Sequence, residues 1–233
     1  MSRDAGPNLT QGAYEAVRAD LLACRIPPGS RLKIQDLCDR FSVSLGAIRE
    51  ALSRLTSDGL VVSEPQRGFR AAPISVAELQ DLTMVRIEIE SLCLRRAIAV
   101  GTVEWESRLV AAFHRLSRTP ERVPTDPARA DDDWAGAHAA FHLALVNGGD
   151  SPWLLRLHSQ LYDQSERYRR LSVSLARQTR KIGDEHQAIM DAALGRDAEK
   201  AVALVTAHMT ETTNILLTAK IDPAAAETRA ASA

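Results

Sequence analysis

The sequence predicts a mostly α-helical protein in two parts: a small helix-turn-helix unit closed by a hairpin, then an all-helical antiparallel bundle of about six helices. Three observations carry this. Aromatic residues make up only 4% of the chain while Ala, Leu and Arg abound, a composition that suits helices better than sheets. Apolar side chains recur three and four residues apart through most of the chain. Gly, Pro and capping residues interrupt that pattern where helices should start and stop. A length of 233 residues allows one or two domains, and 45% hydrophobic residues suffice for ordinary cores.

Residues 1–9 are polar, with Gly6 and Pro7, and read as a frayed tail. A first helix should begin near Thr10 and end before Pro27-Pro28-Gly29. Ile34, Leu37 and Phe41 keep helical spacing, and Val43 falls in the turn that follows. Ser44 suits the N-cap of a second helix reaching about Ser57 and stopping at Gly59. Its apolar stripe is Ile48, Leu52 and Leu55, while Leu45, Gly46 and Arg49 occupy another face near its start. LVVSE and FRAAP then alternate as a short hairpin around Pro65-Gln66-Arg67-Gly68. Helix, turn, helix and hairpin in this order make a winged helix-turn-helix over residues 10–73, whose second helix would meet base edges in a DNA groove. The candidate DNA contacts are Lys33, Gln35, Ser44, Leu45, Gly46, Arg49, Gln66, Arg67 and Gly68. Such spacing also fits a purely structural three-helix unit; the basic wing tip and the exposed arginine favour DNA.

The net charge of −1 does not by itself suggest a nucleic-acid protein, but its distribution does. Residues 25–70 hold eight basic side chains against five acidic, a net of +3 that leaves about −4 elsewhere. Cys24, Cys38 and Cys93 have no CxxC spacing and read as small buried hydrophobes in a reducing compartment. The N-terminus lacks a signal-peptide apolar run, and no stretch approaches the roughly 18 apolar residues of a membrane helix. A cytoplasmic location is expected.

From residue 74 to 221 only helices are expected. Ser75 and Glu78 have capping-box spacing ahead of a helix to about Val100, stopped by Gly101. Another spans about Val103 to Leu116, and Arg118–Ala130, with three prolines, reads as a loop. Asp131-Asp132-Asp133 open a helix to about Asn147, and Ser151-Pro152 start one reaching about Leu171. A further helix from about Ser174 to Leu194 and a last one from Asp197 to about Ala219 complete the bundle, with room for a chamber. Residues 222–233 are low in complexity and expected to be disordered.

All six histidines lie in this second part. His138 and His142 are four apart on one helix, and His186 and His208 lie on two later ones. A helical bundle builds metal sites this way, and neutral imidazole suits zinc, nickel and related transition metals. His114 and His158 lack matched partners. No HExxH, nucleophile elbow or Gly-rich phosphate loop is present, so the residues do not suggest an enzyme.

The pattern PGSRL…IREAL.RL…GLV…RGF resembles the GntR family of bacterial regulators, and the remainder resembles the effector domain of its FCD branch. Within the family, SLGAIREALSRL and YDQSERYRRL are most similar to the carbon-starvation-induced regulator subgroup. The resemblance implies a homodimer on a palindromic DNA operator, with Arg49 reading a guanine and Gly68 letting the wing backbone approach the minor groove. Many members begin the recognition helix with an arginine; Leu45 and Gly46 stand here instead, which puts the usual operator sequence in doubt. AFHLAL, DEHQAIMDAAL and AHMTET match the segments carrying the branch's three metal-binding histidines, so His142, His186 and His208 are implied ligands. The fourth ligand there is usually an aspartate, where this chain has His138. Either His138 ligates, making the site all-histidine, or it leaves a three-ligand site with room for a carboxylate or water.

A small carboxylate effector is implied beside the metal, which is zinc first, with nickel or another transition metal as alternatives. Arg86 either faces the chamber or pairs with Glu90 four residues on. Asn147 contacts the effector or caps its helix, and Tyr168 with one neighbouring arginine lines the chamber. The expected function is a ligand-responsive regulator, a repressor as most of the family are. The rivals are a metal sensor in which the ion is the signal, and a metal-dependent hydrolase fused to a winged helix.

Overall fold

The structure is a computed structural model that describes residues 9–175 and 180–219. The tails expected at 1–9 and 222–233 lie outside the described residues, except that Leu9 opens the first helix. The chain divides into two compact units, one ending at Ser75 and one beginning at Val76.

The first unit holds α1 (Leu9–Leu22), β1 (Arg31–Leu32), α2 (Ile34–Phe41), α3 (Leu45–Ser57), β2 (Val61–Glu64) and β3 (Gly68–Ala71). Ser44 caps α3 by accepting from the Ala47 amide at 3.3 Å. The predicted stripe of Ile48, Leu52 and Leu55 is fully buried with Val17 and Leu21 of α1 and Leu60. Outside this core, Tyr14 donates to Asp58 at 2.8 Å and carries Arg54 over its ring, clamping α1 to α3. Gly59 and Gly68 have φ of +74° and +89°, a backbone region that side chains with a Cβ rarely enter, and they end α3 and start the returning wing strand. The wing has three strands in the order β1-β3-β2, all antiparallel, where the sequence predicts two. β1 is two residues long, too short to show an alternation. It matters nonetheless, because Arg31 reaches across to donate to the Arg67 carbonyl at the wing tip, at 2.9 Å.

The second unit holds α4 (Val76–Val100), α5 (Val103–Arg118), β4 (Arg122–Val123), β5 (Asp126–Ala130), α6 (Asp132–Val146), α7 (Pro152–Leu175), α8 (Ile182–Leu194) and α9 (Ala198–Thr218). Two expectations are corrected. The predicted loop at 118–130 contains the antiparallel hairpin β4–β5, pairing Arg122 with Ala130 and Val123 with Asp126; its prolines hid so short a ladder. Helix α7 continues to Leu175 and α8 starts only at Ile182, rather than a new helix starting at Ser174. Three side chains cap their helices. Asp131 accepts from the amides of Asp133 and Trp134, Ser151 from Leu154, and Asp197 from Lys200.

Helix α4 packs against α7 and α9, α5 against α6 and α8, and α8 against α9. The core is built on Leu94, Trp105, Leu109, Phe141, Leu145, Ile189 and Val205, all essentially inaccessible. Trp105 donates to the Ala144 carbonyl at 2.8 Å and lies against Gly101 and Gly148, where an added Cβ would come within 2.3 and 2.8 Å of the indole. Those glycines end their helices and also make room for the ring.

Candidate functional sites

All nine residues predicted to contact DNA are exposed: Lys33 and Gln35 beside and on α2, Ser44, Leu45, Gly46 and Arg49 at the start of α3, and Gln66, Arg67 and Gly68 at the wing turn. Lys33 leans toward Asp36 at 3.8 Å and Gln35 donates to Asp39 at 3.1 Å, contacts weak enough in water to be exchanged for a phosphate. Beside Gly46 the nearest atom to an added Cβ would be the Ser44 hydroxyl at 3.9 Å, so the start of α3 offers open backbone to a partner. Buried Asp20 pairs with Arg25 at 2.6 Å and Arg40 at 2.5 Å, pinning the end of α1 to α2.

In the second unit the four histidines converge. His138 and His142 come from α6, His186 from α8 and His208 from α9, all buried, and one ligand atom from each lies within 4.8 Å of the others. Four nitrogens about 2.1 Å from one tetrahedral ion lie about 3.4 Å apart, so the widest pair would close in by about 1.4 Å around an ion. Three rings are held through Nδ1: His138 by the Tyr162 hydroxyl at 2.7 Å, His142 by Glu90 at 2.8 Å and His208 by Glu185 at 2.9 Å. The Nε2 atoms of His138, His142 and His186 are buried with no hydrogen-bond partner among the described residues. Orphaned buried nitrogens cost free energy unless something takes their lone pairs.

The electrostatics agree. Burial, reinforced by the neighbouring imidazoles and arginines, holds His138 and His186 far below the ordinary histidine range. Burial lowers His142 too, against the pull of Glu90, and brings His208 down to about 4 against that of Glu185. All four are therefore neutral at physiological pH, the form that ligates metals. The residues present fit a divalent transition metal. His138 sits with the other three, so the all-histidine alternative is the one the geometry favours.

A small cavity of about 40 Å³ adjoins the cluster, walled by His138, His208, Arg86, Arg169, Thr83 and Tyr168, among others. Arg86 combines both of its sequence readings. It lines the cavity and donates to Ser165 at 2.8 Å, lies over the Tyr162 ring, and is 3.5 Å from Glu90. Tyr168 is buried and donates to Glu78 at 2.6 Å. The arginine left unnamed beside it is Arg169, held by Glu166 at 2.6 and 2.8 Å and stacked on Trp134. Asn147 takes the second of its two readings: it is exposed at the C-cap of α6 and is not among the cavity-lining residues.

His114 is exposed, whereas His158 is buried with Nε2 3.5 Å from Glu90. Sequence reasoning missed Glu90, Tyr162 and Glu185 as partners of the histidines. Only Glu185 carried a signal, its place beside His186; adjacent helical residues diverge, and Glu185 reaches His208 on α9 instead. Arg180 joins it at 2.6 Å, and although burial pushes the Glu185 carboxyl up, His208 and Arg180 bring it down to about 2.

A winged helix-turn-helix exposing basic side chains, followed by a helical unit with a histidine-lined cavity, defines a DNA-binding transcription regulator. The chain belongs to the GntR family of bacterial regulators, in the branch that carries an FCD domain. Residues 9–70 match the family described as bacterial regulatory proteins, gntR family, and residues 81–211 match the FCD domain. It is 40% identical over 209 residues to the HTH-type transcriptional regulator BphR of Paraburkholderia xenovorans (strain LB400), covering 90% of this chain and 85% of that one. Identity is 32% over 200 residues to the HTH-type transcriptional repressor GlaR of Escherichia coli (strain K12), covering 84% and 90%. Among solved structures, E. coli McbR/YncC shares the fold with a TM-score of 0.74 at 19% identity, covering 91% of this chain and 99% of that one. These families and relatives are transcriptional regulators and not enzymes, which removes the hydrolase reading. No described helix is long and apolar enough to cross a membrane.

Proposed function

We propose that the chain is a cytoplasmic repressor that binds a palindromic operator as a homodimer and responds to a small organic acid held beside a divalent metal, zinc before nickel or other ions. The observation that carries the metal is the set of three orphaned Nε2 atoms on neutral, buried imidazoles. His138, His142, His186 and His208 would hold the ion, which would supply a Lewis-acidic anchor for a carboxylate. On the cavity wall, Arg86 Nε and Arg169 Nη1 are buried N–H groups without an acceptor among the described residues, which suits an anionic ligand. Tyr168 borders the same space; Asn147 acts as a helix cap.

Repression is supported by the name of the relative GlaR. Pairing is supported by large apolar side chains left exposed on the neighbouring helices α4 and α7: Met84, Leu92, Trp153 and Leu157. Arg49 would read one base pair from the start of α3, with Lys33, Gln35, Ser44 and the wing tip on phosphates and grooves. An effector that binds the DNA-competent and DNA-incompetent states unequally would set operator occupancy.

The test is metal content by plasma mass spectrometry on tag-free protein, wild type beside His142→Ala and His186→Ala. About one tightly held ion per chain, lost in both variants, is expected, followed by a carboxylate screen on the loaded protein. Metal-free wild type that still folds would sink the metal reading and leave the arginine-walled cavity to explain any effector response.

A further inference from the structure

Glu90 lies on α4, far in sequence from the histidines, and is 1% exposed. Three nitrogen-bearing groups surround its carboxylate. Oε1 is 2.8 Å from His142 Nδ1, and Oε2 is 3.5 Å from both Arg86 Nη2 and His158 Nε2. A carboxylate beside a guanidinium is ionised and can only accept, so the proton on the His142 ring must sit on Nδ1. The Nε2 of that ring then carries a lone pair, and it is one of the orphaned nitrogens of the cluster.

We propose that Glu90 is a positioning residue of the metal centre: it fixes the tautomer and orientation of His142, and it links that ligand to Arg86 on the cavity wall. The inference rests on the metal reading given above. Carboxylate partners of metal-bound imidazoles orient the ring and raise its basicity, and their loss typically weakens metal binding about 10–100-fold. Glu90 differs from Glu185, the carboxylate on His208, which is about one-third exposed. Water can replace part of the Glu185 interaction, but at Glu90 it cannot enter without opening the packing of α4 on α7. Glu90 also stands between ligand and cavity. Neutralising Arg86 with a bound anion would free Glu90 to polarise His142 more strongly, so anion and metal would each tighten the other.

The experiment uses the full chain with zinc and cobalt(II) as probes. Glu90→Gln presents an amide that can donate to His142 Nδ1 and so favours the wrong tautomer. Zinc affinity, read by chelator competition, is expected to fall about 10–100-fold, and the visible absorption of the cobalt(II) form should change. Glu90→Asp keeps the charge but shortens the reach by one methylene, and a smaller loss is expected; it serves as the reporter should the glutamine variant not fold. Unchanged zinc affinity and cobalt spectrum, with only a lower Tm of the metal-free protein, would make Glu90 a packing residue and overturn the inference while leaving the metal centre intact. Wild-type protein that binds neither ion would overturn the metal reading and this inference together.

Discussion

The two candidate sites are built on opposite principles. At the start of α3 and the wing turn, the recognition side chains are exposed and held by little besides their own backbone. Around the histidines every imidazole is buried, and Glu90, Tyr162 and Glu185 fix three of the rings. A surface that reads DNA must leave its groups free to exchange water for phosphates and bases. A centre that holds an ion must remove water and pre-orient its donors, so its chemistry is also part of its core. Substitutions of the exposed side chains in the first region that neither cap a helix nor hold a positive φ should therefore change affinity without changing stability, and in the second the two should change together.

The largest effect should come from the ion itself. Zinc at about a thousandfold over its Kd should stabilise the wild-type fold by about 4 kcal/mol, visible as a raised Tm. His186→Ala should lose that gain, and a variant that kept it would place the zinc elsewhere. Next, Leu157→Arg at an exposed apolar position of α7 should raise the dimer dissociation constant roughly tenfold or more by burying an unpaired charge. Sedimentation would read this, and an unchanged dimer would move the interface to another face.

Arg49→Ala should cost about 1–3 kcal/mol of binding to an operator selected from random sequences and relax the preference at one base pair. Its folding stability should stay within about 0.5 kcal/mol of wild type; a fall in both quantities would erase the contrast between the two regions.

The pH dependence of the metal-free protein sharpens the other side. Burial lowers the folded-state values of the four histidines, that of His208 to about 4, below the unfolded value of about 6.5. Their contribution is then complete above about pH 6.5 and lost as pH falls toward 4, because the unfolded chain takes up protons first. A Tm that stayed flat across that window would mean that water reaches the imidazoles. The smallest effect belongs to Arg67→Ala, which should weaken all DNA sequences alike and lower the salt slope by about 1. A loss confined to one sequence would instead make Arg67 a base reader.

Local pattern carried much of this molecule. The stripe of Ile48, Leu52 and Leu55, the caps at Ser44, Asp131 and Asp197, and the stops at Gly59 and Gly101 act over a few residues, so their spacing can be read directly. The exposed nine of the winged unit were legible for the same reason, since being on a surface requires only not being on the apolar stripe. The four histidines were legible as types and spacings, through their likeness to a family, but not as a geometry.

Elements too short to show a period escaped: β1, and the hairpin β4–β5 among its prolines. The partners of the histidines escaped for a different reason. Glu90 meets His142 across 52 positions of sequence, and Glu185 meets His208 across 23. Arg169 was one of several equivalent arginines until packing turned it toward Trp134 and the cavity. Which carboxylate holds which ring depends on how α4, α6, α7, α8 and α9 pack, and that packing comes from the sum of many apolar contacts that no local spacing encodes.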